Sequence, residues 1–310
     1  MSLQPRLLKL VNWVYKRERD PARAQHIWQE FDHNRHYAEY LARCQAASRR
    51  TTAPIANPDL QQRGFSYLRA LAPAAAAKYS AELENRHTPQ LLKKDSRDLE
   101  GFRIDDRQWM QGMLTQVLQG PVDDAVAAFF GSEYLVHWVA LSLTRAAPEQ
   151  ASVSFRWHCD KGPSSHLKII VYLNPTASHG GNTEFMDLDD TLTLAQQGYL
   201  FGWSRTRTGD IEHLSRLAGR KLTARMQQLD AGEAVLFQPS RVLHRGISPT
   251  RGPRLTATLC LLPSPVHWQR AYECETLSDL AVDEKWHDDA LLFLSQLEQR
   301  LQGHEAKVNS

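Results

Sequence analysis

The chain has 310 residues, 42% of them hydrophobic, which is enough for one well-buried core with helical additions. A formal charge of +2 leaves no strongly basic surface and argues against a nucleic-acid partner. Four scattered cysteines (Cys44, Cys159, Cys260, Cys274) do not make a disulfide framework, no apolar run approaches a membrane span, and the N-terminus lacks a signal-like apolar stretch, so a cytoplasmic protein is expected.

Residues 1–60 read as a helical extension. Leu7, Leu8, Leu10, Val11, Val14 and Tyr15 fall at helical spacing, with Arg6, Lys9, Asn12, Lys16 and Arg17 elsewhere. Asp20-Pro21 then reads as the cap and first position of a second helix, which presents Ile27, Phe31, Tyr37, Leu41 and Cys44. The first helix is basic and carries Trp13. Residues 5–18 therefore either rest on the inner face of a membrane or pack on the back of the following domain. The Ala-rich stretch 72–86 is a strong helix former.

Beyond residue 150 the period changes from helix to strand. In 152–158, Val153, Phe155 and Trp157 alternate with Ser152, Ser154, Arg156 and His158. In 166–173, Leu167, Ile169, Val171 and Leu173 oppose His166, Lys168, Ile170 and Tyr172. In 254–262, Leu255, Ala257, Leu259 and Leu261 oppose Arg254, Thr256, Thr258 and Cys260. Strands that are apolar outside and polar inside suit a small barrel with a polar lumen, or an ordinary sandwich with one wet face. Gly180-Gly181-Asn182, Asp230-Ala231-Gly232-Glu233 and Pro239-Ser240 punctuate short strands, as in an antiparallel jelly roll rather than βαβ units. A long insertion, 187–230, holds Trp203, Arg205, Arg207, Arg216, Arg220, Lys221 and Arg225 against fewer acids. It suits an anionic substrate, or is a solvated face.

His158 and Asp160, two apart on a strand, point to one face. Joined by His244, they make a 2-His-1-carboxylate set, which leaves three positions open on a divalent iron. The tripeptide alone is weak, because His287-Asp288-Asp289 repeats it. That second copy precedes Leu291, Leu292, Leu294, Leu297 and Leu301 at helical spacing and reads as an acidic first turn.

Several motifs occur in a telling order: Trp157-His158-Cys159-Asp160, Val171-Tyr172-Leu173-Asn174-Pro175, Gly180-Gly181-Asn182-Thr183-Glu184-Phe185, Gly232-Glu233-Ala234-Val235-Leu236-Phe237, His244-Arg245-Gly246 and Arg254. Together they resemble the Fe(II)/2-oxoglutarate-dependent dioxygenase superfamily over residues 61–265. The stretch from Gly64 to Pro73, and Phe129-Phe130-Gly131 leading into a strand near 135–143, resemble its phytanoyl-CoA dioxygenase-like branch. Tyr172-Leu173-Asn174 and the Gly-Gly turn are also similar to prolyl-hydroxylase-like relatives.

The resemblance implies an α+β protein with a double-stranded β-helix core (jelly roll, cupin-like) in 61–265. The helical extension 1–60 and a helical segment 266–310 would pack outside, and the 187–230 insertion would act as a lid. His158, Asp160 and His244 would hold Fe(II) as catalytic metal ligands, and 2-oxoglutarate would chelate the iron. Its far carboxylate would meet Arg254, because a guanidinium grips a carboxylate bidentately and stays charged when buried. Arg251 is the competitor, but it precedes Gly252-Pro253 and falls in the turn. Tyr172 would be a second grip, Lys168 either a further grip or a solvent-facing strand-end residue, and Thr183 part of the lining.

The implied reaction consumes O2, releases succinate and CO2, and hydroxylates an unactivated C–H bond; desaturation or ring closure would use the same ligands. The carboxylate at 160 argues against halogenation. The expected substrate is a small molecule, anionic or lipid- or sugar-linked, facing Arg156, Trp203, Arg205 and Arg207, with residues 5–18 as a peripheral membrane contact. Two other readings are a peptide or protein hydroxylase and a catalytically silent metal-binding jelly roll.

Overall fold

The computed structural model describes residues 36–50, 55–86, 89–91, 99–148, 153–160, 165–197, 199, 207–274, 278–279 and 290–308. In chain order these form α1 (Tyr37–Ala47), α2 (Pro58–Gln62), β1 (Phe65–Arg69), α3 (Pro73–Arg86), β2 (Gln90–Leu91), β3 (Leu99–Phe102), α4 (Arg107–Val117), α5 (Pro121–Phe130) and β4 (Glu133–Thr144). A short 3-10 turn (Val153–Phe155) precedes β5 (Leu167–Tyr172), α6 (Thr176–His179), β6 (Asn182–Phe185), α7 (Leu188–Gln196) and α8 (Ile211–Ala218). The chain continues through β7 (Glu233–Phe237), β8 (His244–Ile247), β9 (Arg254–Ser264), α9 (Trp268–Glu273), β10 (Ser278–Asp279) and α10 (Ala290–Val308). Among the described residues no helix is long and apolar enough to cross a membrane.

Two sheets face one another. The larger runs β1-β7-β5-β9-β4-β3-β2, with β10 added in parallel to β4. The smaller pairs β6 with β8 and is widened by one bridge on each side, His158 with His244 and Phe185 with Arg225. From β4 onward the chain passes repeatedly between the sheets, giving the larger a core order β7-β5-β9-β4 and the smaller an order of the His158 segment, β8, β6 and the Arg225 segment. This is a double-stranded β-helix, or jelly roll, within an α+β chain.

The alternation expected in two strands is present. Leu167, Ile169 and Val171 of β5, with Leu255, Ala257, Leu259 and Leu261 of β9, enter one apolar core with Met113, Leu114 and Val117 of α4 and Val126 and Phe130 of α5. Each such Leu or Ile contributes about 1.5–3 kcal/mol through burial. Their neighbours point the other way: Lys168, Ile170 and Tyr172 lie opposite Cys260, Thr258 and Thr256 on the face toward the smaller sheet. The Ala-rich stretch is α3, and Phe129-Phe130-Gly131 ends α5 on a left-handed glycine and leads into β4.

One strand expected from alternation is not a strand. Residues 153–155 turn as a 3-10 helix, and Trp157 donates its backbone N–H to Thr208 rather than to a sheet neighbour. The three apolar residues part company: Val153 is exposed, Phe155 lies against Gly246, and Trp157 enters a separate core. Different tertiary surroundings override a short period-2 pattern here.

The insertion was expected to cover the site; most of its described part packs as a separate core, while Arg207 lies near Asp160. Leu194 and Ala195 of α7, Tyr199, Leu214 of α8, and Leu222 pack with Trp157, Cys159, Met186 and Leu243, on the outer side of the smaller sheet. Its bases are tied locally: Arg220 pairs with Asp189 and Asp190, and Arg225 with Asp187. Trp203 and Arg205 lie outside the described residues, as do residues 5–18 and His287-Asp288-Asp289. Of the N-terminal helices, Tyr37, Tyr40 and Cys44 of α1 pack with Ala290 and Leu294 of α10, and the Tyr40 hydroxyl donates to the Pro263 carbonyl.

Gly232 locks β1, β5 and β7 together. Its carbonyl accepts from the N–H groups of Ala70 and Leu71, and its own N–H donates to Tyr172 O at 2.8 Å. At φ +87° a Cβ would lie 2.3 Å from Leu71 O. Gly232→Ala is expected to lower unfolding free energy by about 2 kcal/mol or more, since backbone strain and a main-chain clash add. Urea denaturation checks this, and an unchanged midpoint would mean that the turn relaxes without cost.

Candidate metal centre

A single antiparallel bridge builds the centre. His158 N–H donates to His244 O at 3.0 Å and His244 N–H to His158 O at 2.9 Å, which brings the two ring centroids to 4.4 Å. Asp160 follows two residues on, with its N–H held by Pro239 O at 2.8 Å. One donor atom from each of His158, Asp160 and His244 lies within 4.8 Å of the others. Asp160 Oδ1 is 3.4 Å from His158 Nε2, and its Oδ2 is 3.8 Å from His244 Nε2.

The rings are oriented by the main chain. His158 Nδ1 lies 2.7 Å from Arg156 O, and His244 Nδ1 lies 2.9 Å from Val242 O. A carbonyl can only accept, so each Nδ1 carries a proton and Nε2 is the nitrogen each ring turns toward the centre. Burial, then the neighbouring His158 ring, pushes the His244 pKa down to about 3, so this ring is neutral near pH 7. Burial raises the Asp160 pKa, but Lys168 and the two histidines outweigh it and hold the carboxyl well below the usual range. Two imidazole nitrogens and one carboxylate, aimed at a common point, suit a divalent transition metal. The Asp160 side chain is 23% exposed, so an ion can reach it.

Lys168 does not face solvent as a strand-end residue. Its ammonium sits 2.5 Å from Asp160 Oδ2 and 5.0 Å from the centroid of the Trp138 ring. Cys260 lies across from it on β9, and burial lifts that thiol's pKa to about 12, which keeps it protonated.

Arg254, Tyr172 and Thr183 are brought together at a second polar cluster. Arg254 donates to Asn182 O at 2.7 Å, but its Nε has no partner, and among the described residues no carboxylate pairs with it. The Tyr172 hydroxyl donates to Asn182 Oδ1 at 3.0 Å and lies 3.2 Å from Thr183 Oγ1. Burial raises the Tyr172 pKa, and nearby Arg254 partly opposes this. His179 stacks on Tyr172 with centroids 6.4 Å apart, and burial with Arg254 lowers its pKa to about 4. An incompletely bonded guanidinium beside neutral hydroxyls fits an incoming carboxylate. Arg251 is exposed in the turn that precedes β9.

Sequence reasoning missed several participants. Asn182 sat inside a quoted motif without a role, and Trp138 read only as a strand residue. The carbonyls of Arg156 and Val242 leave no side-chain signature. Of the residues expected to face substrate, Arg207 lies near enough to Asp160 and Tyr199 for their charges to favour its own, while burial lowers its pKa. The Arg156 carbonyl supports His158.

No family model matches the chain, and no curated protein does. Among solved structures it is similar to the non-heme alpha ketoglutarate dependent epimerase SnoN from nogalamycin biosynthesis, at 16% identity over 73% of this chain and 84% of that one (TM-score 0.43). It is similar to EctD from S. alaskensis with 2-oxoglutarate and 5-hydroxyectoine at 16% identity over 68% and 77% (TM-score 0.46). A third is HygX from Streptomyces hygroscopicus with nickel and 2-oxoglutarate bound, at 13% identity over 66% and 84% (TM-score 0.44).

Both His179 and His244 have folded pKa values below the ordinary 6.5. The unfolded chain then binds more protons, so stability is lost as pH falls from about 6.5 toward the folded values. Each group contributes a slope of about 1.4 kcal/mol per pH unit at most. The metal-free protein is expected to lose stability between pH 6.5 and 4.5, and His179→Gln to flatten that slope. Denaturation at stepped pH measures it, and an identical slope in the variant would refute the His179 contribution.

Proposed function

We propose that this chain is an Fe(II)- and 2-oxoglutarate-dependent oxygenase of the double-stranded β-helix superfamily, hydroxylating a C–H bond of a small anionic substrate. The observation that carries this reading is the pairing of two polar sites in one lumen. At one, His158, Asp160 and His244 converge within 4.8 Å. At the other, Arg254 has no carboxylate partner among the described residues and an unbonded Nε. A metal site alone would fit many activities. A metal site facing the same lumen as a buried cation, with Tyr172 and Thr183 beside it, favours a dicarboxylate co-substrate that spans them.

When bound, Fe(II) and 2-oxoglutarate supply the oxidising power of the reaction, with succinate and CO2 as by-products. The chain's own residues bind and orient. His158 and His244 offer Nε2 because their Nδ1 protons are held by carbonyls, and Asp160 offers an oxygen. His158, Asp160 and His244 would hold the ion from one side and leave the lumen side to the co-substrate. Arg254 would fix the far carboxylate, with the Tyr172 hydroxyl alongside it. Ile170 and Thr258, facing each other across the strands between the two sites, offer an apolar and a hydroxyl surface along the path. Arg207, close enough to feel the charge of Asp160, supports an anionic group on the substrate.

The strand and helix Phe65–Arg69 and Pro73–Arg86, with the glycine-capped α5 before β4, support the phytanoyl-CoA dioxygenase-like branch. Four cysteines that are all free and buried support a reducing compartment.

Anaerobic addition of Fe(II) and then 2-oxoglutarate should produce a visible metal-to-ligand charge-transfer band that requires both. Arg254→Gln is expected to weaken 2-oxoglutarate binding about a hundredfold or more, since truncating a buried charged pair costs about 2–5 kcal/mol, while iron binding persists. Asp160→Ala is expected to abolish the band. Iron binding with no band would leave a metal-binding jelly roll without this chemistry.

A further inference from the structure

The triad's carboxylate already has a cation. Lys168 Nζ lies 2.5 Å from Asp160 Oδ2, and the two side chains are 18% and 23% exposed. The lysine is held from below by the Trp138 ring at 5.0 Å, and its strand is fixed on both edges, opposite Phe237 of β7 and Cys260 of β9. Lys168 is therefore placed by the larger sheet, whereas Asp160 is placed by the segment that borders the smaller one. Their ion pair crosses the lumen.

We propose that Lys168 is the positioning residue and counter-charge of the metal centre. It fixes Asp160 Oδ2, so the carboxylate offers one oxygen to the metal, and its charge restrains how tightly a divalent ion is held. The inference rests on reading His158, Asp160 and His244 as a metal site. A divalent ion meets twice the repulsion from a neighbouring ammonium that a unit charge does. At a separation of a few ångströms in a half-buried site, that repulsion outweighs the side-chain entropy a pre-fixed carboxylate saves. Metal affinity is thus held down, and the ion-free site is spared an uncompensated carboxylate.

Its position separates Lys168 from the co-substrate grip. Tyr172, beside Arg254, is four residues further along the same face of β5, a rise of about 13 Å. The ammonium is engaged at the triad end of the lumen.

The test is anaerobic calorimetric titration of Lys168→Met and Lys168→Arg with Mn(II), then with 2-oxoglutarate at saturating Mn(II), alongside melting of the metal-free proteins. Lys168→Met is expected to bind Mn(II) about tenfold tighter or more and to melt lower without metal, while 2-oxoglutarate affinity changes less than metal affinity. Lys168→Arg should restore both values toward wild type. Mn(II) affinity unchanged or weakened in Lys168→Met would overturn the proposal. A loss of 2-oxoglutarate affinity at unchanged Mn(II) affinity would overturn it in favour of a co-substrate grip. If wild type binds no Mn(II), the metal-site reading itself falls. Should Lys168→Met not fold, Lys168→Gln is read in the same way.

Discussion

The centre depends on one pair of main-chain hydrogen bonds. His158 and His244 exchange N–H and C=O across a bridge that belongs to no longer ladder on the His158 side. It alone sets the two imidazoles side by side, and it fixes which residue faces inward. A slip of one residue would turn Trp157 or Cys159 to the lumen and both ligands of that segment outward. Each histidine then finds a carbonyl two residues upstream, Arg156 O and Val242 O, so one local geometry serves both strands. The antiparallel bridge relates the two arrangements by an approximate two-fold rotation, and both Nε2 atoms converge.

Around this bridge the lumen carries an uneven charge distribution. Asp160 is answered by Lys168, and Arg254 among the described residues by two carbonyl oxygens and the Thr144 hydroxyl, with no carboxylate. His244 and His179 are driven toward their neutral forms chiefly by burial. Burying an arginine without an anion is costly, and partial bonding to main-chain oxygens does not replace a carboxylate. A fold optimised only for stability would fill that place with an apolar side chain. Keeping the cation is understandable when a ligand carboxylate completes it.

What could be read from the sequence follows from the range of the forces concerned. The faces of β5 and β9 are set by the two-residue period of their own side chains, so Tyr172 and Arg254 could be assigned inward before any contact was known, while Lys168, on the same face at the strand end, stayed open between lumen and solvent. His158 and Asp160 share a face for the same reason. The stretch before them also alternates, yet it turns as a 3-10 helix, because Phe155 and Trp157 answer to Gly246 and to the insertion's core rather than to strand neighbours. The Lys168–Asp160 pair joins residues on different sheets and the proton-holding carbonyls belong to the main chain, so no local pattern announces either. Arg254 could be preferred over Arg251 because Gly252-Pro253 makes a turn before the strand begins.

The same alternation explains what the insertion does. With His158, Asp160 and His244 aimed into the lumen, Trp157, Cys159 and Leu243 must point out of the opposite face. There they meet Leu194, Ala195, Leu214 and Leu222, supplied by α7, α8 and the loop after them. The Tyr199 hydroxyl donates to Trp157 O at 3.0 Å and accepts from Thr208 N–H at 3.1 Å, tying the ligand strand to the insertion through its main chain as well. Among the described residues the His158 segment makes one bridge in the sheet, so this outer core is what keeps it from fraying. Arg220 and Arg225 form their ion pairs with acids of the same insertion, which leaves Arg207, next to Tyr199, as the described base of this segment nearest the carboxylate. The described part of the insertion thus supports the metal ligands from behind, and its charges act mostly on one another.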